Sequence, residues 1–158
     1  MITQTRLKQI LSYNPISGFF FYLQPRGRMK KGDRAGSVGI NGYRKILIDG
    51  VTYSEHRLAW LYMTGEWPEQ HLDHINMIKN DNCFANLRKA SYVENQGNIA
   101  GRNKTGFKGV SKTKSGKFTA YINDIGKNRS LGRYDTAELA AEAYMSAARD
   151  YFGDFARA

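Results

Sequence analysis

An α+β fold in two small domains is what the patterning of this chain predicts, on three observations. Strand, loop, strand and helix signals follow one another between about residues 71 and 99. Three further strand signals and one amphipathic helix occupy residues 105–158. Between these sets, Ile99 to Lys104 is glycine-containing and polar and reads as a linker, which sets the expected domains at 1–99 and 105–158. With 41% hydrophobic and 13% aromatic residues among 158, two small cores can be filled.

The first third reads as β structure. Phe19 to Leu23 is a short apolar run after Pro15 and Gly18, and Tyr43 to Ile48 alternates before the hairpin signal Asp49-Gly50. The basic, glycine-punctuated stretch between them is expected to be an exposed loop. Ser54 then opens a helix with Leu58, Leu61 and Tyr62 on one face, closed by Gly65 with Pro68 beyond. His71 is read as a structural loop residue, and Leu72 to Ile75 as a short strand. Asn76 to Asn82 is too polar and amide-rich to be anything but loop, and Leu87 to Ala90 returns as a strand. Ser91-Tyr92-Val93-Glu94 is a capping box, which puts Asn95 in the first turn of a helix and completes a ββα unit. In the second domain, strands are expected near Gly106–Ser111, Phe118–Asn123 and Ser130–Tyr134, with turns at Lys114-Ser115-Gly116 and Gly126-Lys127-Asn128. A helix from Thr136 to Phe152 presents Ala140, Ala143, Tyr144, Ala147 and Tyr151 as its apolar face.

Charge points to a polyanion. Lys and Arg number 24 against 14 Asp and Glu, a formal net charge of +10, and such a surface draws nucleic acid by releasing condensed counterions. The charge is also segregated. From Arg102 to Arg133 nine basic residues face a single acid, Asp124, whereas Asp135 to Asp154 holds five acids and one base, Arg149. Arg26, Arg28, Lys30, Lys31 and Arg34 form a second basic cluster. No apolar run approaches the ~20 residues of a membrane span, and the amino terminus lacks the layout of a signal peptide. A lone cysteine, Cys83, excludes an intramolecular disulfide and any multi-cysteine zinc site. The expectation is an intracellular soluble protein.

One constellation carries chemistry. Hydrolysis of a phosphodiester needs an activated water, neutralisation of phosphoryl charge and help for the departing 3′ oxygen; one histidine and one divalent ion suffice. Neighbouring strand residues Asp73 and His74 point to opposite faces, so a carboxylate can meet the helix while the imidazole faces the scissile bond. Asn95 offers an amide oxygen as a second metal ligand, and Asn86 can bridge loop backbone and fix the histidine. Singly, each has a plainer reading: surface polarity for Asp73-His74, an Asx-turn for Asn86, an exposed helix residue for Asn95. His56, at a helix start, is open to phosphate contact, packing or solvent.

The combination resembles a known family. His56-Arg57-Leu58-Ala59-Trp60, Leu72-Asp73-His74-Ile75-Asn76, Asn82, Asn86-Leu87-Arg88 and Glu94-Asn95 are similar to the HNH endonucleases of phages. The resemblance is to intron-encoded homing nickases and their free-standing relatives, in which the third motif residue is Asn. It implies a ββα-metal nuclease core at about 71–99, with Asp73 and Asn95 as metal ligands, His74 as general base and Asn86 as the catalytic residue bracing the loop. Where many relatives have Gly and Arg, this chain has Met77 and Cys83. The carboxyl-terminal segment, Gly106-Phe107-Lys108-Gly109-Val110 through Leu131-Gly132-Arg133-Tyr134 to Tyr144, resembles the Apetala2/ethylene-response-factor domain. That family presents a three-stranded antiparallel sheet, backed by a helix, to the DNA major groove; its tryptophans are replaced here by Phe118 and Ser130.

These resemblances imply a metal-dependent endonuclease of double-stranded DNA, homing-type and nicking one strand, with Mg2+ or Mn2+ and no small-molecule cofactor. The expected DNA contacts are Arg26, Arg28, Lys30, Lys31, Lys108, Lys112, Lys117, Arg129 and Arg133. The protein is expected to act as a monomer, with a dimer as the alternative, in the bacterial host cytoplasm if phage-encoded. The rival reading is a non-catalytic DNA-binding regulator on a decayed HNH scaffold.

Overall fold

The Thr3 hydroxyl accepts from Arg6 N–H and so caps an opening helix that the β reading of the first third missed. In a computed structural model, which describes residues 1–97, 104–124 and 126–156, α1 (Gln4–Ile10) leads into β1 (Leu11–Asn14) and β2 (Phe19–Tyr22). The rest of the order is β3 (Ser37–Val38), β4 (Arg44–Ile48), β5 (Val51–Ser54), α2 (Glu55–Thr64), β6 (His71–His74), β7 (Leu87–Ala90) and α3 (Tyr92–Gly97). After these come β8 (Val110–Lys112), β9 (Phe118–Asp124), β10 (Lys127–Tyr134) and α4 (Ala137–Phe152). The chain is a mixed helix-and-sheet protein in two compact units, Met1–Lys89 and Ala90–Ala158. The expected linker lies almost wholly outside the described residues.

In the first unit, β1 pairs with β2, β4 lies between β3 and β5, and β6 pairs with β7. β4 alternates buried and exposed residues along its whole length, as a half-buried strand must. Asp49 and Gly50 both take positive φ, 48° and 80°, the left-handed pair that a two-residue hairpin of this twist requires. Leu7, Leu11, Phe20, Ile46 and Leu58 form the core against which α1, α2 and the sheets pack. Beside it lies a buried ion pair. Arg44 Nε donates to Glu55 Oε2 at 2.6 Å, and its Nη2 donates to Ala35 O and Gly36 O at 2.9 and 3.0 Å. The end of the basic loop is thereby tied to β4. Burial pushes the Glu55 carboxyl up, opposed by the guanidinium of Arg44. His71 opens β6 rather than lying in a loop.

The second unit holds the antiparallel sheet β8-β9-β10 and α4. β8 begins at Val110, four residues later than the pattern suggests, because Gly109 takes a φ of 67° and an added Cβ there would meet Tyr144 and the Tyr121 carbonyl. β10 begins earlier than expected, at Lys127. Thr136 caps α4 through its hydroxyl, which accepts from Leu139 N–H. The buried face of α4 is Ala140, Tyr144, Ala148 and Phe152, a strict i+4 row. The expected Ala143, Ala147 and Tyr151 are partly buried and pack against the same cores beside this row.

Replacing Arg44 with Leu should leave Glu55 buried without its counter-charge, at about 3–5 kcal/mol of stability. Urea unfolding checks this; an unchanged midpoint would show that the pair is dispensable.

Candidate active site

Polar residues between two short strands face a backbone problem: the loop must satisfy its own N–H and C=O groups while holding the strands in register. Here the amides of Asn76 and Asn86 solve it reciprocally. Asn76 N–H donates to Asn86 Oδ1 at 2.9 Å, and Asn86 Nδ2 donates to Asn76 Oδ1 at 2.9 Å and to Asp81 O at 2.8 Å. Ile75 N–H donates to Asn86 O at 2.9 Å, directly after His74. Asp81 accepts from Asn76 Nδ2 at 2.6 Å and from Cys83 N–H at 3.2 Å. The Cys83 thiol is pushed up to about 11 by burial and by Asp81, so it stays a protonated thiol.

His74 stands at the end of β6 with 3% of its surface exposed. Its Nε2 lies 3.1 Å from Asn82 Oδ1, and its ring meets His56 edge to face at 5.2 Å and Tyr43 at 5.8 Å. Three elements therefore converge on the imidazole: α2 through His56, the β6–β7 loop through Asn82, and Tyr43 just ahead of β4. His56 is packed and is not a surface residue. Burial, then the neighbouring His74 and Arg57, push its imidazole down to about 3, so it is neutral at ordinary pH. Its Nδ1 is buried without a hydrogen-bond partner.

Asp73 is 7% exposed, and its charge, after burial, helps push the Tyr43 phenol up. Asp73 Oδ2 accepts from Arg88 Nε and Nη2, both at 3.0 Å, across the β6–β7 pair. His56, Asn82 and Arg88 were present in the sequence motifs, yet their contacts with His74 and Asp73 follow only from how α2, the loop and β7 fold. Among the described residues there is no group of three or more His, Cys, Asp or Glu that could hold a metal. A buried carboxylate plus an amide oxygen is the hard-oxygen chemistry suited to a largely hydrated Mg2+ or Mn2+. Asn95 lies on α3, whose capping box is formed: Ser91 N–H donates to Glu94 Oε2 at 2.7 Å, and Glu94 N–H to Ser91 Oγ at 3.2 Å. α3 belongs to the second compact unit, and Asp73 to the first.

The candidate DNA-contacting residues fall into distinct settings. Arg28, Lys30 and Lys31 are exposed on the loop after β2, and Arg26 is half-buried in a bridge to Met29. Strand register divides the rest. Arg133 pairs with Thr119, on the sheet face away from α4, whereas Arg129 pairs with the buried Ile122 and Lys112 with Phe118, on the α4 side. Lys117 is in an exposed ion pair with Asp135 at 2.9 Å. Lys108 lies over the Phe152 ring.

Comparison with known proteins places this geometry in context. Residues 53–96, from β5 through the proposed ligand Asn95, match the family model described as HNH endonuclease. Over 121 residues the chain is 31% identical to a protein of Acanthamoeba polyphaga mimivirus named as an uncharacterized HNH endonuclease. The match takes in 75% of this chain and 63% of that relative's length. No solved structure matches. No described helix is long and apolar enough to cross a membrane.

Met77 sits in the left-handed region, with φ of 64°, where glycine would be unstrained. A side chain there costs about 1–2 kcal/mol. Met77→Gly is therefore expected to raise the unfolding free energy by about 0.5–1 kcal/mol, and the denaturation midpoint with it, after the extra chain entropy of glycine is set against it. A lower midpoint would show that the Met77 side chain contributes more by packing than its backbone costs.

Proposed function

We propose that this chain, which carries an HNH endonuclease domain over residues 53–96, is a DNA endonuclease hydrolysing phosphodiester bonds in double-stranded DNA. The observation that carries the reading is the pairing of buried Asp73 and His74 on one strand, beside a loop cross-braced by Asn86, inside the matched segment.

In this reading His74 is the general base. Its Nδ1 makes no hydrogen bond among the described residues and would take the proton from water as the water oxygen attacks phosphorus. Asn86 keeps the loop, and hence the strand end bearing His74, at fixed geometry. Asp73 and Asn95 would hold a divalent ion, Mg2+ or Mn2+, which when bound supplies positive charge for the phosphoryl and leaving oxygens. Arg88 holds the Asp73 carboxylate in one orientation. The products would be 5′-phosphate and 3′-hydroxyl ends, and one such site per chain favours nicking over a double-strand break.

Targeting is assigned to the second unit, with nuclease and DNA-binding domains divided at 1–99 and 105–158. The three-stranded sheet backed by α4 supports an Apetala2-like mode, with the face bearing Arg133 and Thr119 toward DNA and the acids of α4 behind. A homing-type phage nuclease of the HNN subgroup, working in a bacterial host cytoplasm, fits these features. One observation favours the rival reading of a decayed, DNA-binding scaffold: His74 is nearly covered and Asp73 is engaged by Arg88.

Plasmid nicking separates the two. With magnesium the protein should relax supercoiled DNA, and chelator should stop it. His74→Ala should lower the rate by about 10²–10⁴-fold with DNA affinity unchanged. Asp73→Ala and Asn95→Ala should both shift the metal dependence upward, the Asp change more because it also removes charge. Wild-type nicking by His74→Ala, or overlaid metal titrations, would refute these roles.

A further inference from the structure

We infer that Asn82 is a positioning residue for His74, fixing the imidazole in the tautomer that carries its proton on Nε2 and leaves the Nδ1 lone pair for catalysis. This rests on the reading of His74 as a base, and it concerns a side chain to which neither the motif nor the comparisons give a role.

A neutral imidazole divides its nitrogens into one donor and one acceptor, and the partner of one decides the function of the other. The group placed against Nε2 is Asn82 Oδ1, at 3.1 Å. A carbonyl oxygen can only accept, so this contact forms only when Nε2 bears the hydrogen. The two rings that meet it, His56 and Tyr43, do so by ring contact, and among the described residues neither hydrogen-bonds to His74.

Asn82 is itself held from behind, independently of His74. Its side chain is 1% exposed. The buried Tyr13 hydroxyl donates to Asn82 O at 2.6 Å. Gly18, with φ of 71°, lies so close that an added Cβ would come within 2.4 Å of the Asn82 carbonyl carbon and the Cys83 nitrogen. Phe84 N–H then donates to Pro15 O at 3.0 Å. β1 and the turn after it thus grip the backbone at the asparagine and directly after it, and the oxygen is aimed by the core of the unit.

The amide nitrogen supplies the second argument. Asn82 Nδ2 is buried with no partner, and an orphaned donor costs about 1–3 kcal/mol. Leucine would fill the same space without that cost. An amide with one end unsatisfied is explained if its other end does what a hydrocarbon cannot, which is to accept the Nε2 hydrogen.

The test is direct. In full-length protein labelled with 15N at histidine, two-bond 1H–15N correlations should show His74 with a protonated Nε2 and a pyridine-type Nδ1. Asn82→Asp keeps an oxygen acceptor and should keep that pattern. Asn82→Leu should average the two nitrogens and lower kcat for nicking by about 10–100-fold, with KM for DNA unchanged. A wild-type spectrum with the proton on Nδ1 overturns the inference, and decides it even if Asn82→Leu does not fold. A folded Asn82→Leu protein that keeps a pure Nε2–H tautomer also overturns it. A wild-type protein with the Nε2–H pattern, dependent on Asn82 but without nicking activity, upholds the positioning and refutes the endonuclease reading.

Discussion

Everything proposed for the site depends on one constraint: the polar loop from Ile75 to Asn86 must hold a fixed shape although Phe84 is the one side chain it packs against the hydrophobic core. Reciprocal amide bonds between Asn76 and Asn86 close it like a short sheet. The grip of Tyr13 and Gly18 on Asn82 anchors its far end to the first two strands. A hydrophobic loop could not do this, because its backbone groups would still need partners. An all-polar loop without these bonds would be a solvated coil, and the imidazole at its start would be free to turn. The amide-rich composition that looks like a simple loop signal is therefore the material of the scaffold.

The same economy explains the ring cluster. The proposed base, His74, is flanked by Tyr43 and a neutral His56. Neither puts a positive charge beside it, and both limit its rotation. The Asp73 carboxylate is held by Arg88. Asp73 and the proposed base His74 are consecutive residues of β6, where strand alternation favours opposite faces.

Much of this was legible in the residues alone. The alternation of β4, the Asp49-Gly50 turn, the Ser91-Glu94 capping box and the extent of α4 each obey a local rule, and each stands where that rule puts it. What the sequence could not show arose from tertiary context. The opening helix is only seven residues long and is secured by Leu7 in the core, a contact no window of sequence reveals. The apolar face of α4 is rotated onto Ala148 and Phe152 because the sheet, not the helix, decides which row is covered. Strand register placed Arg129 and Lys112 on the helix side of the sheet, whereas charge counting treats all cations on strands alike. His56, Asn82 and Arg88 meet the motif residues only after the chain has folded back, so spacing alone gives no hint of them.

The central claim is that a water activated at His74 attacks the phosphorus of DNA, and the fate of the solvent oxygen tests it most directly. Cleavage of duplex DNA with magnesium in 18O-water should give 3′-hydroxyl ends and 5′-phosphates carrying one solvent oxygen each, with His74→Ala giving neither. Cleavage that leaves 3′-phosphates, or 5′-phosphates free of label, would contradict hydrolysis by a base-activated water at this site.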